Sequence, residues 1–121
     1  MQNFPQYSGR VYRNLEFDSE QKYDSFLEEH TENREITLKA ITSTSKKPNG
    51  YPLFGHGVVH LVIDGISGYD ISDSFGFKRQ QEVTYIPGTR MKVLKVTTAN
   101  DGNPLIFMEE IADEKMGTAD G

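Results

Sequence analysis

Several residue sets in this chain have spacings that could do chemistry, and most of them fail on geometry. His56 and His60 are four apart, as zinc ligands are on a helix. The segment reads as extended, however, where four residues cover roughly 13 Å, too far to share one metal. His60 reads instead as a core histidine with a hydrogen-bond partner. Gly55-His56-Gly57 lacks the third glycine and the following helix of a dinucleotide-binding turn. Asp73-Ser74-Phe75-Gly76 faintly resembles a kinase metal motif, but 121 residues leave no room for a kinase. There is no Gly-x-Ser-x-Gly for a hydrolase nucleophile. Three short runs remain: Val11-Tyr12-Arg13, Ser43-Thr44-Ser45 and Gln80-Gln81-Glu82. Singly, each has a plain explanation as a surface arginine, a polar strand end or a polar strand start. Their order along the chain is what gives them meaning.

The elements that must position them are mostly strands. Arg10–Leu15 reads as a short strand with a positive charge in its middle. Asp18 then offers a helix N-cap with Gln21 three residues on. Tyr23, Phe26 and Leu27 follow at i, i+3, i+4, so Ser19–His30 is expected to be an amphipathic helix with an acidic outer face. Ile36, Leu38 and Ala40 alternate with polar neighbours, which predicts one strand running into Thr42-Ser43-Thr44-Ser45. Lys46–Gly57, with two Pro and Gly-rich, reads as a loop. Val58–Ile63 is apolar on both faces, as in a buried strand. Gly65–Gln81 reads as irregular. Strands are expected again at Glu82–Ile86, Arg90–Thr98 and Leu105–Ile111, turned by Pro87-Gly88 and Asn100-Asp101-Gly102-Asn103. The tail from Asp113 carries no apolar pattern. The expected class is α+β, with about six short strands and one or two helices, and hairpins favouring antiparallel pairing.

Composition narrows the function. The chain is one domain's worth of protein. Seven Phe and six Tyr argue against disorder. A formal net charge of −5 disfavours broad nucleic-acid binding, because phosphate backbones need Lys and Arg. No apolar run approaches the ~20 residues of a membrane span, and no signal-peptide pattern opens the chain. With no cysteine, disulfides and thiolate metal sites are excluded, which locates nothing.

Together the three runs resemble the Arg / Ser-Thr-Ser / Gln-x-Glu signature of mono-ADP-ribosyltransferases of the clostridial and cholera-like toxin lineage. Similar domains occur on phage minor head proteins and in polymorphic bacterial toxins. The likeness extends through "VYRNLEF", "ITLKAITSTS", "VVHLVIDG", "QEVTYIPGTRMKVLKV" and "LIFMEEI", in that order, and covers residues 9–111 of a single domain spanning 1–121. It implies an ADP-ribosyltransferase fold of two short, roughly perpendicular antiparallel sheets, with residues 112–121 a flexible tail. The activity implied is cleavage of NAD at its nicotinamide–ribose bond and transfer of ADP-ribose to a macromolecular acceptor. Metal is not expected. Protein is the expected acceptor, with an immunity protein as a further partner and no membrane; the place of action would be the cytoplasm of a producing or target cell.

The resemblance also assigns roles. Glu82 would stabilise the oxocarbenium-like charge of the transition state. Arg13 would hold the NAD diphosphate through a planar, permanent charge. Ser43 would hold Glu82 in its working rotamer, while Thr44 and Ser45 support the ribose pocket. Gln80, two residues before Glu82 on an extended chain, would face the same side and position the acceptor. Phe54 in the Lys46–Gly57 loop, beside Lys46, Lys47 and Tyr51, would stack on the nicotinamide ring. Asn14 stands where the family commonly has glycine; a backbone contact to the nicotinamide amide survives that change. Only nine residues precede Arg10, against the helices usual in the family, so the chain is expected to be a minimal enzyme or a domain cut from a longer one. Two alternatives stay open: an NAD glycohydrolase using the same site, and a non-catalytic β-rich binding or phage structural module.

Overall fold

Alternating side chains turn most of the chain into strands, and the computed structural model describes residues 5–48, 57–71 and 81–112. Strand β1 runs Gln6–Phe17, longer at both ends than its apolar pattern predicts. Helix α1 follows at Glu20–Glu29. Its N-cap is Ser19 rather than Asp18: the Ser19 hydroxyl, on extended backbone, accepts the Lys22 N–H at 3.2 Å. The cap oxygen must reach the amide three residues ahead, and Asp18 sits one residue too early. Asp18 instead pairs with the Lys22 ammonium. His30 closes the helix, its ring stacked on Phe26 and its Nδ1 2.7 Å from the Phe26 carbonyl. Burial lowers the His30 pKa, which favours the neutral ring.

The expected single strand from Ile36 to Ser45 is two strands in different parts of the sheet. β2, Glu35–Thr37, pairs with β6, Arg90–Thr98. β3, Thr42–Ser45, pairs with β5, Glu82–Tyr85. Leu38 is still tied to the β5–β6 turn, through Thr89 and Gly88, before the chain crosses over. Period-2 alternation reports a face, not a partner, so it does not reveal such a break.

β4 spans Gly57–Asp70, well past the Gly65 at which the sequence predicts an irregular stretch. Its glycines mark close packing rather than a turn. A Cβ on Gly65 would fall on the Tyr85 hydroxyl, and one on Gly68 would meet Val83 and the Tyr85 ring. Glycine inside a strand often serves such a close approach. Tyr85 is fully buried there, and burial pushes its phenol pKa upward.

With β7, Pro104–Glu110, the seven strands are hydrogen-bonded in the order β1-β3-β5-β4-β7-β6-β2, and β1 also pairs directly with β4. The pairings are antiparallel except β4–β7, which is parallel, from His60 opposite Leu105 to Asp64 opposite Glu109. The other ladders follow the expected preference for antiparallel pairing, and the parallel one arises because the β6–β7 hairpin docks on β4 through its second strand. The hydrogen bonds join the described strands into one continuous network. β4 is long enough to serve both halves, pairing β1 and β7 through its first part and β5 through Tyr69 and Asp70. Val11, Val59, Leu61, Ile63, Val83, Ile106 and Met108 form the core with Tyr85, and Phe17, Tyr23, Phe26 and Leu27 bring α1 against it. No helix among the described residues is long and apolar enough to cross a membrane.

Gly65→Ala is expected to destabilise the domain by about 1–3 kcal/mol through overpacking. Adding Tyr85→Phe removes the oxygen that the new methyl meets first, so the double variant should regain part of that loss. Denaturant midpoints of the two singles and the double measure it; strictly additive losses would refute the packing account.

Candidate active site

β1 lies beside β3 at only one register pair, Tyr12 opposite Ser45. Beyond it the strands part, and the gap is a cleft of about 160 Å³ lined by Tyr12, Arg13, Asn14, Ser43, Thr44, Ser45 and Glu82. All three sequence runs therefore contribute to one small space. β5 delivers Glu82 to it by pairing antiparallel with β3, Ser45 opposite Glu82 and Ser43 opposite Thr84. The buried Thr44 hydroxyl locks this pairing by donating to the Val83 carbonyl at 2.7 Å.

Arg13 bridges the parting strands. Its Nη1 donates to the Ser43 carbonyl at 2.7 Å. Burial lowers its pKa, yet a guanidinium remains charged at neutral pH. Ser43 thus meets Arg13 through its backbone. Among the described residues, the hydrogen bond that reaches the Glu82 carboxylate comes from the Thr84 hydroxyl at 3.3 Å, not from Ser43. Thr84 was legible in principle, since it lies two residues on along the same strand and so on the same face as Glu82. Among the described residues Arg13 and Glu82 make no ion pair, so a fixed cation and a carboxylate share the cleft without neutralising each other.

Gln81 has a left-handed backbone, φ 45°, which is uncommon for a residue with a side chain. The chain therefore does not run extended through Gln81 into Glu82. Gln80 itself lies outside the described residues, as does Phe54. The strained turn is held by Lys46 N–H to the Gln81 carbonyl, 3.0 Å, and Ile71 N–H to the Glu82 carbonyl, 3.0 Å. Lys46 is engaged with Asp70 at 2.5 Å and lies 5.0 Å above the Tyr7 ring.

Asn14 opens onto a second feature that sequence reasoning missed. Its Oδ1 lies 2.7 Å from His60 Nδ1, and His60 Nε2 lies 2.7 Å from Asp101 Oδ2. The Asp101 carboxyl is held down at about 2, first by the Asn103 backbone N–H and then by His60. A groove of about 460 Å³ runs alongside, sharing Tyr12 and Asn14 with the cleft. No cluster of His, Asp or Glu among the described residues could hold a metal ion.

No family model and no curated protein sequence matches this chain. Solved structures do. HopU1, an ADP-ribosyltransferase of Pseudomonas syringae, superposes with a TM-score of 0.69 at 19% identity, covering 88% of this chain and 47% of HopU1. Vis toxin, an ADP-ribosyltransferase from Vibrio splendidus, gives 0.65 at 19%, covering 91% and 51%. The type III effector XopAI of Xanthomonas axonopodis gives 0.66 at 24%, covering 88% and 45%. The chain has the fold of ADP-ribosyltransferase toxins and effectors, and it spans about half the length of these proteins.

Thr44→Val is expected to cost about 0.5–1.5 kcal/mol, because it removes the side-chain hydrogen bond that supplements the ladder at the Val83 carbonyl. Chemical denaturation checks it; an unchanged midpoint would show that the hydroxyl does not pin β3 to β5.

Proposed function

We propose that this chain is the catalytic domain of a mono-ADP-ribosyltransferase of the Arg / Ser-Thr-Ser / Gln-x-Glu type, acting as a toxin or effector. The observation that carries the reading is the single cleft lined by Arg13, Ser43 and Glu82, residues that the sequence places 30 and 39 positions apart. The fold shared with HopU1 and Vis supports it. NAD fits the donor set in kind: the partly buried guanidinium suits a diphosphate, and the carboxylate suits a ribose that becomes positive. At about 160 Å³ the cleft holds a part of NAD, and the adjoining groove gives room for more.

The step is a substitution at the nicotinamide riboside carbon. The bond from that carbon to the pyridinium nitrogen breaks, its electron pair neutralises the ring, and nicotinamide leaves. An acceptor atom then bonds to the same carbon and loses its proton. Glu82 stabilises the positive charge that builds on the ribose between these events. Thr84 steadies the carboxylate, and Arg13 holds the diphosphate while the ring departs. No metal enters. When water is the acceptor the same site is an NAD glycohydrolase. Gln80 is the residue proposed to favour transfer, by positioning a macromolecular acceptor, protein first.

Incubation with labelled NAD and a cell lysate tests the proposal, with label transfer and nicotinamide release read together. Labelled macromolecule is expected; nicotinamide alone would make the chain a glycohydrolase, and neither product would remove the enzymatic reading. Glu82→Gln should lower turnover about a hundred- to a thousand-fold while NAD affinity stays nearly intact. Full nicotinamide release by that variant would sink the assignment. Arg13→Ala should weaken NAD binding by about 1.5–3 kcal/mol, the range for a hydrogen bond to a charged group. Calorimetry measures it, and unchanged affinity would take Arg13 out of the site.

A further inference from the structure

We infer that Lys46, through its ion pair with Asp70, straps the base of β5 and is a positioning residue that fixes Glu82 for the reaction, rather than a ligand of the NAD diphosphate. The inference rests on the proposed NAD-cleaving function. Its starting point is the way the chain enters β5. Gln81 has φ 45°, and a residue with a side chain keeps such a backbone only where its surroundings hold it. The holding groups come from both sides. Lys46 N–H, just past the end of β3, donates to the Gln81 carbonyl at 3.0 Å. Ile71 N–H, just past the end of β4, donates to the Glu82 carbonyl at 3.0 Å.

The side chains beside those two amides close the arrangement. Lys46 Nζ lies 2.5 Å from Asp70 Oδ2, and the ammonium also sits 5.0 Å above the Tyr7 ring. The two side chains are 25% and 19% exposed, so salt screens this pair far less than one at the open surface. β3 and β4 flank β5 on opposite sides, so the pair spans the strand that carries Glu82. The register fixes the face on which it does so. Asp70 stands opposite Val83 and shares its face of the sheet. Val83 and Glu82 are consecutive on β5 and point to opposite faces. The ammonium is therefore held behind the strand, and the described residues that line the cleft do not include Lys46. Without the pair, the left-handed turn would rest on its backbone hydrogen bonds. Relaxing it would shift the start of β5, and Glu82 with it.

A lysine that bound the diphosphate would act on NAD affinity. A strap acts on the geometry of Glu82, and the two predict different kinetics. Nicotinamide release is measured for wild type, Lys46→Met, Lys46→Arg, Asp70→Asn and the double variant of Lys46→Met with Asp70→Asn. Lys46→Met keeps the stem and removes the charge. It is expected to lower kcat about ten- to a hundred-fold, because a displaced catalytic group loses its transition-state contact. KM for NAD should stay within about three-fold, and Lys46→Arg should keep most of kcat. Asp70→Asn should lower kcat in the same direction, whereas a diphosphate-binding Lys46 freed from its partner would keep kcat and lower KM. Asp70 has a further partner of its own, so the double variant isolates the pair. Its kcat should be no lower than that of the more damaging single. Losses that multiply, a Lys46→Met enzyme with raised KM and unchanged kcat, or a kcat that arginine does not preserve would overturn the inference.

Amide hydrogen exchange without NAD, read by NMR, gives a readout independent of activity. The Ile71 and Lys46 amides should exchange about ten-fold faster in Lys46→Met, as local opening of the turn requires. The Val93 amide, which donates to the Arg34 carbonyl on the far side of the sheet, should keep its rate. An Ile71 amide with unchanged exchange, or equal acceleration at Val93, would refute the strap. Asp70→Asn, which keeps the size of the side chain, carries the same measurement if Lys46→Met does not fold. If Glu82→Gln lost activity while Lys46→Met kept its kcat and its exchange rates, the strap alone would fail. If Glu82→Gln kept full activity while Ile71 exchange rose as expected, the functional reading would fail and the Lys46–Asp70 strap on β5 would stand.

Discussion

The β1–β4 ladder is the constraint on which the other positions depend, running from Gln6 opposite Tyr69 to Phe17 opposite Gly57. It places Val11, Leu15 and their partners Ile63 and Val59 against the core, and it leaves the other edge of β1 to β3. β3 meets that edge at a single pair because it is held more firmly by β5, along Thr42–Ser45. A strand shared between two unequal ladders must part from the weaker one. The cleft is the space that this parting leaves, and Arg13 spans it. Its hydrogen bond to the Ser43 carbonyl also satisfies a backbone acceptor that the parting would otherwise leave to solvent.

Electrostatics separate the residues that hold the fold from those available to a ligand. Lys46 is taken by Asp70, Arg10 by Asp64 and Arg90 by Glu35. The last two pairs are about half exposed, where screening leaves ion pairs little stabilising effect. Arg13 differs from them in being bound to a backbone carbonyl, which satisfies one of its donors and leaves the charge in place. Glu82 likewise has, among the described residues, a neutral hydroxyl beside it and not a cation. Opposite charges kept apart at fixed positions can act on different parts of one substrate, and the field is set before the substrate arrives.

Most of the strands could be read from alternation, and the readings fail where partner choice matters. Leu38 and Ala40 continue the pattern begun by Ile36, so the break between β2 and β3 left no local mark. Gly65 and Gly68 look like turn residues, because what they accommodate is Tyr85, some twenty residues away in sequence. The candidate site was legible as an ordered set of residue types. The bond that steadies Glu82, the left-handed turn at Gln81 and the link from Asn14 through His60 to Asp101 were not.

Local chemistry and periodicity, which a sequence carries in full, determined the residue types at the cleft, the helix with its apolar stripe, the turn glycines at 88 and 102, and the absence of thiolate ligands. Pairing determined the rest. Whether Ser43 faced a side chain or offered its carbonyl, and whether His60 stood alone or between two partners, depended on registers between strands far apart along the chain. The energy of a strand pairing is summed over the whole ladder and the core beneath it, so no short segment encodes its partner. Only the folded sheet settles which residues, tens of positions apart, come to share one cleft.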